Sequence, residues 1–500
     1  MSSRLNPIST GSDWTFDLIE RYEAEIRTCA GEFGLDTYPN QIEIITSEQM
    51  LDAYASTGLP IGYQHWSYGK QFIANEQSYR KGQQGLAYEI VINSDPCIAY
   101  LMEENSMMMQ ALVIAHASYG HNSFFKGNYL FRQWTHADGI LDYLAFARRY
   151  VMDCEELHGV AAVEETLDSC HALMNYGVHR YRRPPPLSVK AEQERGAERR
   201  ENARLRYNDL WRTLPGAREQ APQQHKARFP EEPDENILYF VEKYSPRLEP
   251  WQREVVRIVR KLAQYFYPQG QTKVMNEGWA TFWHYTLINR MYDKGLLADG
   301  FMVEFLQSHT NVVAQRGFDA RGYGGINPYA LGFAMMQDLR RICENPEAED
   351  RRWFPDIAGG DWVKVLDFAM RNFKDESFIA QYLSPRLIRE FHLFAVADHA
   401  GHAELEIDSI HDDAGYERVR RLLSAQHKRD NLLPDIQVVR YIREGDRSLV
   451  LQYQKQRGRP LAVDDAREVL KHLGRLWGFA VRLESVGENG GVDDCLECAA

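Results

Sequence analysis

Two short segments of this chain carry residue types that bind metals. The first, Ala115-His116-Ala117-Ser118-Tyr119-Gly120-His121, sets two histidines in a run of small and apolar residues. The second runs Met275-Asn276-Glu277-Gly278-Trp279-Ala280-Thr281-Phe282-Trp283-His284-Tyr285 and holds a carboxylate and a third histidine among aromatics. Two imidazoles on one helix and a carboxylate on another form a first shell for a divalent ion, with water in the open position. Helix residues seven apart lie within about 20° of each other, so Glu277 and His284 share a face. This reading assigns ligation of one divalent metal to His116, His121, Glu277 and His284, and zinc is the ion that the donor set favours.

The usual helical zinc signature is His-Glu-x-x-His, whose Glu is the general base. Ala117 stands in the Glu position, and the histidines are five residues apart rather than four. Positions five apart on an α-helix diverge by about 140°, too far to share an ion. Gly120 allows the helix to end or to widen into a π-type turn, and either brings His121 round. With Ala117 in place of Glu, no catalytic residue is assigned. A base would have to come from elsewhere, such as His284 or Asp138. The same residues also suit a metal-free role, a buried His–Glu network joining two core helices.

Other polar residues in apolar or glycine-rich surroundings suit structural roles first: His65, His171 with Asn175, His309, and Tyr329 after Asn327-Pro328. Cys495 and Cys498 form a lone C-x-x-C in a segment rich in Gly and Asp, which reads as a solvated tail. No nucleophile elbow, phosphate-binding loop or dinucleotide fingerprint is present.

The elements that must position these residues are mainly helical. Trp14, Leu18, Tyr22 and Ile26 mark an amphipathic opening helix over 13–35, and a short helix is expected over 42–60. Leu86-Ala87-Tyr88-Glu89-Ile90-Val91-Ile92 reads as a strand before an Asn-Ser-Asp-Pro turn, and helical periodicity is expected again from near Ala99 through His116. A helical stretch over 140–181 stops at Pro184-Pro185-Pro186. From about Glu390 the period shifts towards two, and strands and helices alternate in the order ββαββαβ. The fold class expected is α+β, mainly α: a zincin-like helical core with a short N-terminal sheet, plus a small C-terminal α+β domain. Its parts are 1–182 and 236–388 (the two halves of the core), 183–235 (a charged insertion, with a helix over Ala191–Trp211), 389–486 (the C-terminal domain) and 487–500 (a flexible tail).

Composition narrows the function. The chain is 44% hydrophobic and 12% aromatic, which is globular, and its formal charge of −13 disfavours nucleic acid or an anionic membrane as partner. No apolar run reaches the roughly 18 residues of a membrane span, and Met1-Ser2-Ser3-Arg4-Leu5-Asn6-Pro7 lacks a signal core. Seven cysteines, an odd number, suit reduced thiols. A cytoplasmic protein is expected.

Six stretches resemble the SpoVR family, and within it the proteobacterial YcgB-type branch: His116–Asn128 (HASYGHNSFFKGN), Val274–Tyr285 (VMNEGWATFWHY), Gly324–Ile342 (GGINPYALGFAMMQDLRRI), Trp353–Trp362 (WFPDIAGGDW), Phe373–Pro385 (FKDESFIAQYLSP) and Val469–Phe479 (VLKHLGRLWGF). The family is named for a sporulation protein implicated in spore cortex formation. The resemblance implies a stress or starvation pathway acting on peptidoglycan, with a PrkA-type serine kinase and a YeaH-type protein as partners, and it carries no established enzymatic activity. A second similarity, to zinc peptidases with an Glu-Gly-Trp-Ala helix, maps ligands onto His116, His121 and Glu277. Three functions follow: a regulatory protein with a metal site that lacks the usual base and so is not a peptidase of the usual kind, an active metal-dependent hydrolase or peptidase, and a metal-free interaction protein.

Overall fold

The structure, a computed structural model, describes residues 6–55, 62–68, 70–71, 73–74, 89–179, 198, 229–317, 320, 323–393, 396–397, 406–407, 411–428, 433–443, 445–455, 460–487 and 490–499. It is mainly helical with small sheets. No helix among the described residues is long and apolar enough to cross a membrane. The charged helix expected over 191–211 lies outside the described residues, apart from position 198. Contacts divide the chain into two compact units, residues 1–164 with 264–433 and residues 165–263 with 434–500.

The first unit holds the metal-binding residue types. Its sheet has the order β1-β3-β2, where β1 is Asn40–Ile45, β2 is Glu89–Ile92 and β3 is Cys97–Met102. β1 runs parallel to β3, and β2 runs antiparallel to it with Glu89 opposite Leu101. β3 is buried at every position and therefore reads as an unbroken apolar run. That is why periodicity placed a helix from near Ala99; the helix starts only at Met107, after the strand. The 42–60 expectation also changes, because residues 40–45 pair in the sheet and the helix is confined to Ser47–Ala55.

The opening helix spans Phe16–Glu32, with the Thr15 hydroxyl accepting from the Leu18 amide. Ser106 caps the next rod in the same manner, accepting from Met109 N at 3.2 Å. That rod is an α-helix over Met107–Val113, a π-helix over Ile114–His121 and an α-helix over Asn122–Gly127. A second rod, Lys273–Asp293, carries Glu277 and packs across the first. Asp375 anchors its start by accepting from Val274 N at 2.9 Å and Met275 N at 2.8 Å. Trp279 donates from Nε1 to Ser123 Oγ at 2.9 Å, and Ser123 donates to the Gly120 carbonyl. A third rod, Pro328–Glu344, opens on Asn327 as N-cap with proline at its first position. The rods meet at backbone distance. A Cβ on Gly120 would lie 2.5 Å from Ala280 Cα, and one on Gly278 would fall on the backbone of Gly332.

Strands β4 (Val396–Ala397) and β5 (Glu406–Ile407) pair antiparallel, and the helix Asp413–Gln426 follows them. These elements were expected in the C-terminal domain but belong to the first unit. The second unit contains a sheet of order β6-β7-β8-β9, formed by Ile436–Tyr441, Leu449–Gln454, Val481–Val486 and Val492–Cys498. The described residues of 165–263, expected partly in the helical core and partly in an insertion, group with this sheet. Ser245 Oγ donates to Leu476 O at 2.8 Å, the Phe240 ring stacks 6.0 Å from Trp477, and Asp234 bridges Val438. Sequence pattern marks a helix's apolar face but not which of two cores it covers.

The 487–500 stretch is likewise a paired strand over much of its length, with Leu496 opposite Leu483 on β8. A residue and the third one after it point to opposite faces of a strand, so Cys495 and Cys498 cannot share a metal or bridge each other within β9. All seven cysteines are free thiols.

Candidate metal centre

The π-helix decides whether His116 and His121 can act together. Asn122 N donates to Ala117 O, the i to i−5 bond of a widened turn. With about 4.4 residues per turn, positions five apart come within about 50° instead of 140°. The two rings stand 4.7 Å apart and perpendicular, both imidazoles buried. Gly120 is required for a second reason, since its missing Cβ lets Ala280 and the Glu277 rod approach.

Four donor atoms converge there. His116 Nε2 lies 3.3 Å from Glu89 Oε1 and 3.9 Å from Glu277 Oε2. His121 Nε2 lies 3.9 Å from Glu89 Oε1 and 3.5 Å from Glu277 Oε2. A tetrahedral ion with bonds of 2.0–2.1 Å separates its ligand atoms by about 3.3–3.4 Å, and the shortest His-to-Glu separations, 3.3 and 3.5 Å, lie close to that. Glu89, His116 and His121 by themselves form a group able to hold an ion. Glu89 Oε2 and Glu277 Oε2 are buried and lack a hydrogen-bond partner, an arrangement that a cation would relieve.

Neighbours orient the imidazoles. His121 Nδ1 pairs with Asn276 Oδ1 at 2.9 Å, which requires the hydrogen on Nδ1 and leaves the Nε2 lone pair facing the carboxylates. His116 Nδ1 shares a hydrogen bond of 2.9 Å with His284 Nδ1, and His284 Nε2 shares another of 2.9 Å with His309 Nδ1. The Tyr329 hydroxyl hydrogen-bonds the Glu277 carboxylate, and its ring stacks 6.4 Å from His116.

The electrostatics ask for positive charge. Burial pushes Glu89 up to about 7, with Glu277 adding to the rise and His116 opposing it. Burial works against a charged His116, yet Glu89 and Glu277 hold it above its ordinary value. Glu277 stays below the usual carboxylate range despite its burial, through His116, His121 and Tyr329. Burial lowers His121 to about 4, and it takes His309 to about 4 and His284 well below 6.5. A metal must displace the protons that Glu89 and His116 would otherwise take up. Zinc affinity should therefore fall as pH drops below about 7, by up to tenfold per unit for each proton displaced. Chelator competition between pH 5.5 and 8 measures this, and a flat profile would exclude Glu89 and His116 from the shell.

Two sequence profiles cover nearly the whole chain: "SpoVR like protein" over residues 13–432 and "SpoVR-like C-terminal domain" over 434–488. The chain belongs to the SpoVR family. It is 58% identical over 499 residues to the uncharacterized protein YcgB of Escherichia coli (strain K12), covering 100% of this chain and 98% of that one. No solved structure matches it. The boundary between the two SpoVR profiles falls where residues 264–433 end and 434–500 begin as separate parts of the fold.

Of the residues that sequence assigned as ligands in this SpoVR chain, the structure brings His116, His121 and Glu277 together. His284 is corrected: both its ring nitrogens are taken up by His116 and His309, so it stands behind a ligand and not on the ion. As candidate bases, His284 is spent in the same way, and Asp138 is exposed in the turn before the Ile140–His158 helix. Sequence reading missed Glu89 altogether. The signal was there, a single charge in an otherwise apolar strand, where a buried carboxylate needs a partner. His309 and Tyr329, first read as structural, adjoin the site, whereas His65 bonds Ser67 Oγ through Nδ1 and His171 belongs to the second unit.

Proposed function

We propose that this SpoVR protein holds one divalent cation, zinc by its donor set, on His116, His121 and Glu277, with Glu89 completing the cage. The supporting observation is the convergence of two Nε2 and two carboxylate oxygens at 3.3–3.9 Å. The arrangement of two histidines on one rod and a glutamate on the next is what a zincin-like core would present. A bound ion would supply Lewis acidity and lower the pKa of a water ligand. On this reading the protein is a cytoplasmic regulator of stress-linked peptidoglycan remodelling, working with a PrkA-type kinase and a YeaH-type protein as the family resemblance implies. Elemental analysis of protein purified natively, without a His tag, should find close to one equivalent of zinc. Metal-free protein that also fails to take up zinc, cobalt or manganese would overturn the proposal and leave the interaction-protein reading.

One observation favours a second reading, a metal-dependent hydrolase. Ala117 removes the base expected from the helical motif, but Glu89 delivers a carboxylate to the same cage from β2. Because it comes from a separate element, Glu89 can act on a water while His116, His121 and Glu277 hold the ion. Glu89→Gln separates the roles: zinc retained with loss of turnover on peptide or muropeptide substrates marks a base, and zinc lost marks a ligand.

A further inference from the structure

We infer that His309 is a positioning residue for this metal centre, setting the tautomer of the ligand His116 through His284; the inference rests on the metal-binding reading above. The three imidazoles form one chain of hydrogen bonds, 2.9 Å from His116 Nδ1 to His284 Nδ1 and 2.9 Å from His284 Nε2 to His309 Nδ1. All three are buried, His309 with 4% of its surface exposed. A neutral imidazole has one N–H and one lone pair, so the chain has two directions. In one, His116 Nδ1–H donates to His284 and His284 Nε2–H donates to His309 Nδ1. His116 Nε2 then offers a lone pair to the ion, and His309 carries its hydrogen on Nε2. In the other, His309 Nδ1–H donates to His284 Nε2 and His284 Nδ1–H donates to His116. The His116 hydrogen is then on Nε2, where Glu89 Oε1 accepts it at 3.3 Å.

Only the first direction admits a metal. Filling the cage removes the hydrogen from His116 Nε2, the two bridging hydrogens each move one bond towards His116, and His309 gains a hydrogen on Nε2. Above the pH at which His116 takes up a second proton, one proton leaves at one end and one is taken up at the other, and every ring stays neutral. A carbonyl in place of His309 would permit a single direction and leave a buried lone pair facing a lone pair when the cage is empty. A chain of imidazoles satisfies both states. The position of His309 is held for this task. Tyr285 and Phe333 pack with ring centroids 4.8 Å from it, and Asn327 Nδ2 ties its helix, Asp299–Val312, to the Tyr329 helix through Val312 O at 2.8 Å.

The test uses the full-length protein labelled with 15N-histidine, titrated with Zn2+ at pH 8, where His116 is to be neutral before metal is added, and read by the Nδ1 and Nε2 shifts that distinguish tautomers. Zinc should move the His309 hydrogen from Nδ1 to Nε2. Chelator competition should show His309→Leu binding zinc at least about tenfold more weakly, and His309→Gln, whose amide oxygen accepts the same bond, within about threefold of wild type. Wild type that binds zinc with an unchanged His309 tautomer, or His309→Leu that binds as tightly as wild type, overturns the inference and leaves the metal site standing. Wild type that binds no divalent ion overturns both. If His309→Leu does not fold, the tautomer measurement on wild type decides.

Discussion

Glu277→Gln should cost the protein its metal. The amide keeps the size of the carboxylate and removes its charge, leaving Glu89 alone against two imidazoles that need a cation between them. Changes to groups behind metal ligands already weaken affinity by about 10–100-fold, so a direct ligand should lose about 100-fold or more. Zinc at 100 times its Kd adds about 2.7 kcal/mol of stability to a protein that binds it only when folded. Wild type should accordingly melt at higher temperature with zinc than without, and Glu277→Gln should lose that increment. A His–Glu network without metal makes the opposite forecast, because Glu277 would then stabilise the fold equally in either condition. Melting curves for both proteins with zinc and with chelator separate the two, and a variant that keeps its zinc would sink the assignment.

Gly278→Ala should be among the most damaging single-methyl additions in the chain. The new Cβ would occupy the backbone of Gly332, and a Cβ on Gly332 would in turn meet the Val274 carbonyl. Both partners are helix backbone, so neither can swing aside as a side chain can. Overpacking of a closed core costs about 1–3 kcal/mol where side chains can shift and more where they cannot, so a loss of at least about 3 kcal/mol is expected. Glu277 precedes the contact, and any retreat of its rod would draw its carboxylate away from His116 and His121, lowering zinc affinity in whatever protein still folds. Gly300→Ala is the control. It lies in the first turn of the Asp299–Val312 helix with nothing within 4 Å of an added Cβ, and it should be neutral or slightly stabilising. Equal denaturant midpoints for Gly278→Ala and wild type would show that the rods have room to separate.

Chemistry and local periodicity made much of this protein readable without coordinates. The apolar setting of His116 and His121 marked them as buried, and sharing an ion at a spacing of five called for the helix either to widen or to end. The π-helix with its Asn122 to Ala117 bond supplies the widened turn. The aromatic density around Glu277 marked a carboxylate in need of a cation, a proton or hydrogen bonds, and the period-two stretches after residue 430 became strands. These properties depend on neighbours within one or two turns, which a sequence displays directly.

Tertiary structure alone decided the rest, because it depends on which faces meet. β3 is buried at every position, so its apolar run had no period to distinguish strand from helix. The described helix Ile237–Tyr244 carries an apolar face that suits either core, and contacts, not composition, place it with the C-terminal sheet. Glu277 and His284 do share a helix face, yet one turns its carboxylate to the cage and the other lends both ring nitrogens to a chain behind it. Glu89 reaches the histidines only because β2 pairs with β3 beside the π-helix, a juxtaposition of segments distant in sequence. The chain determined which residue types were buried and in need of partners, and packing determined who the partners are, since a hydrogen bond or a metal bond requires atoms within about 2–3 Å and sequence order does not set that distance.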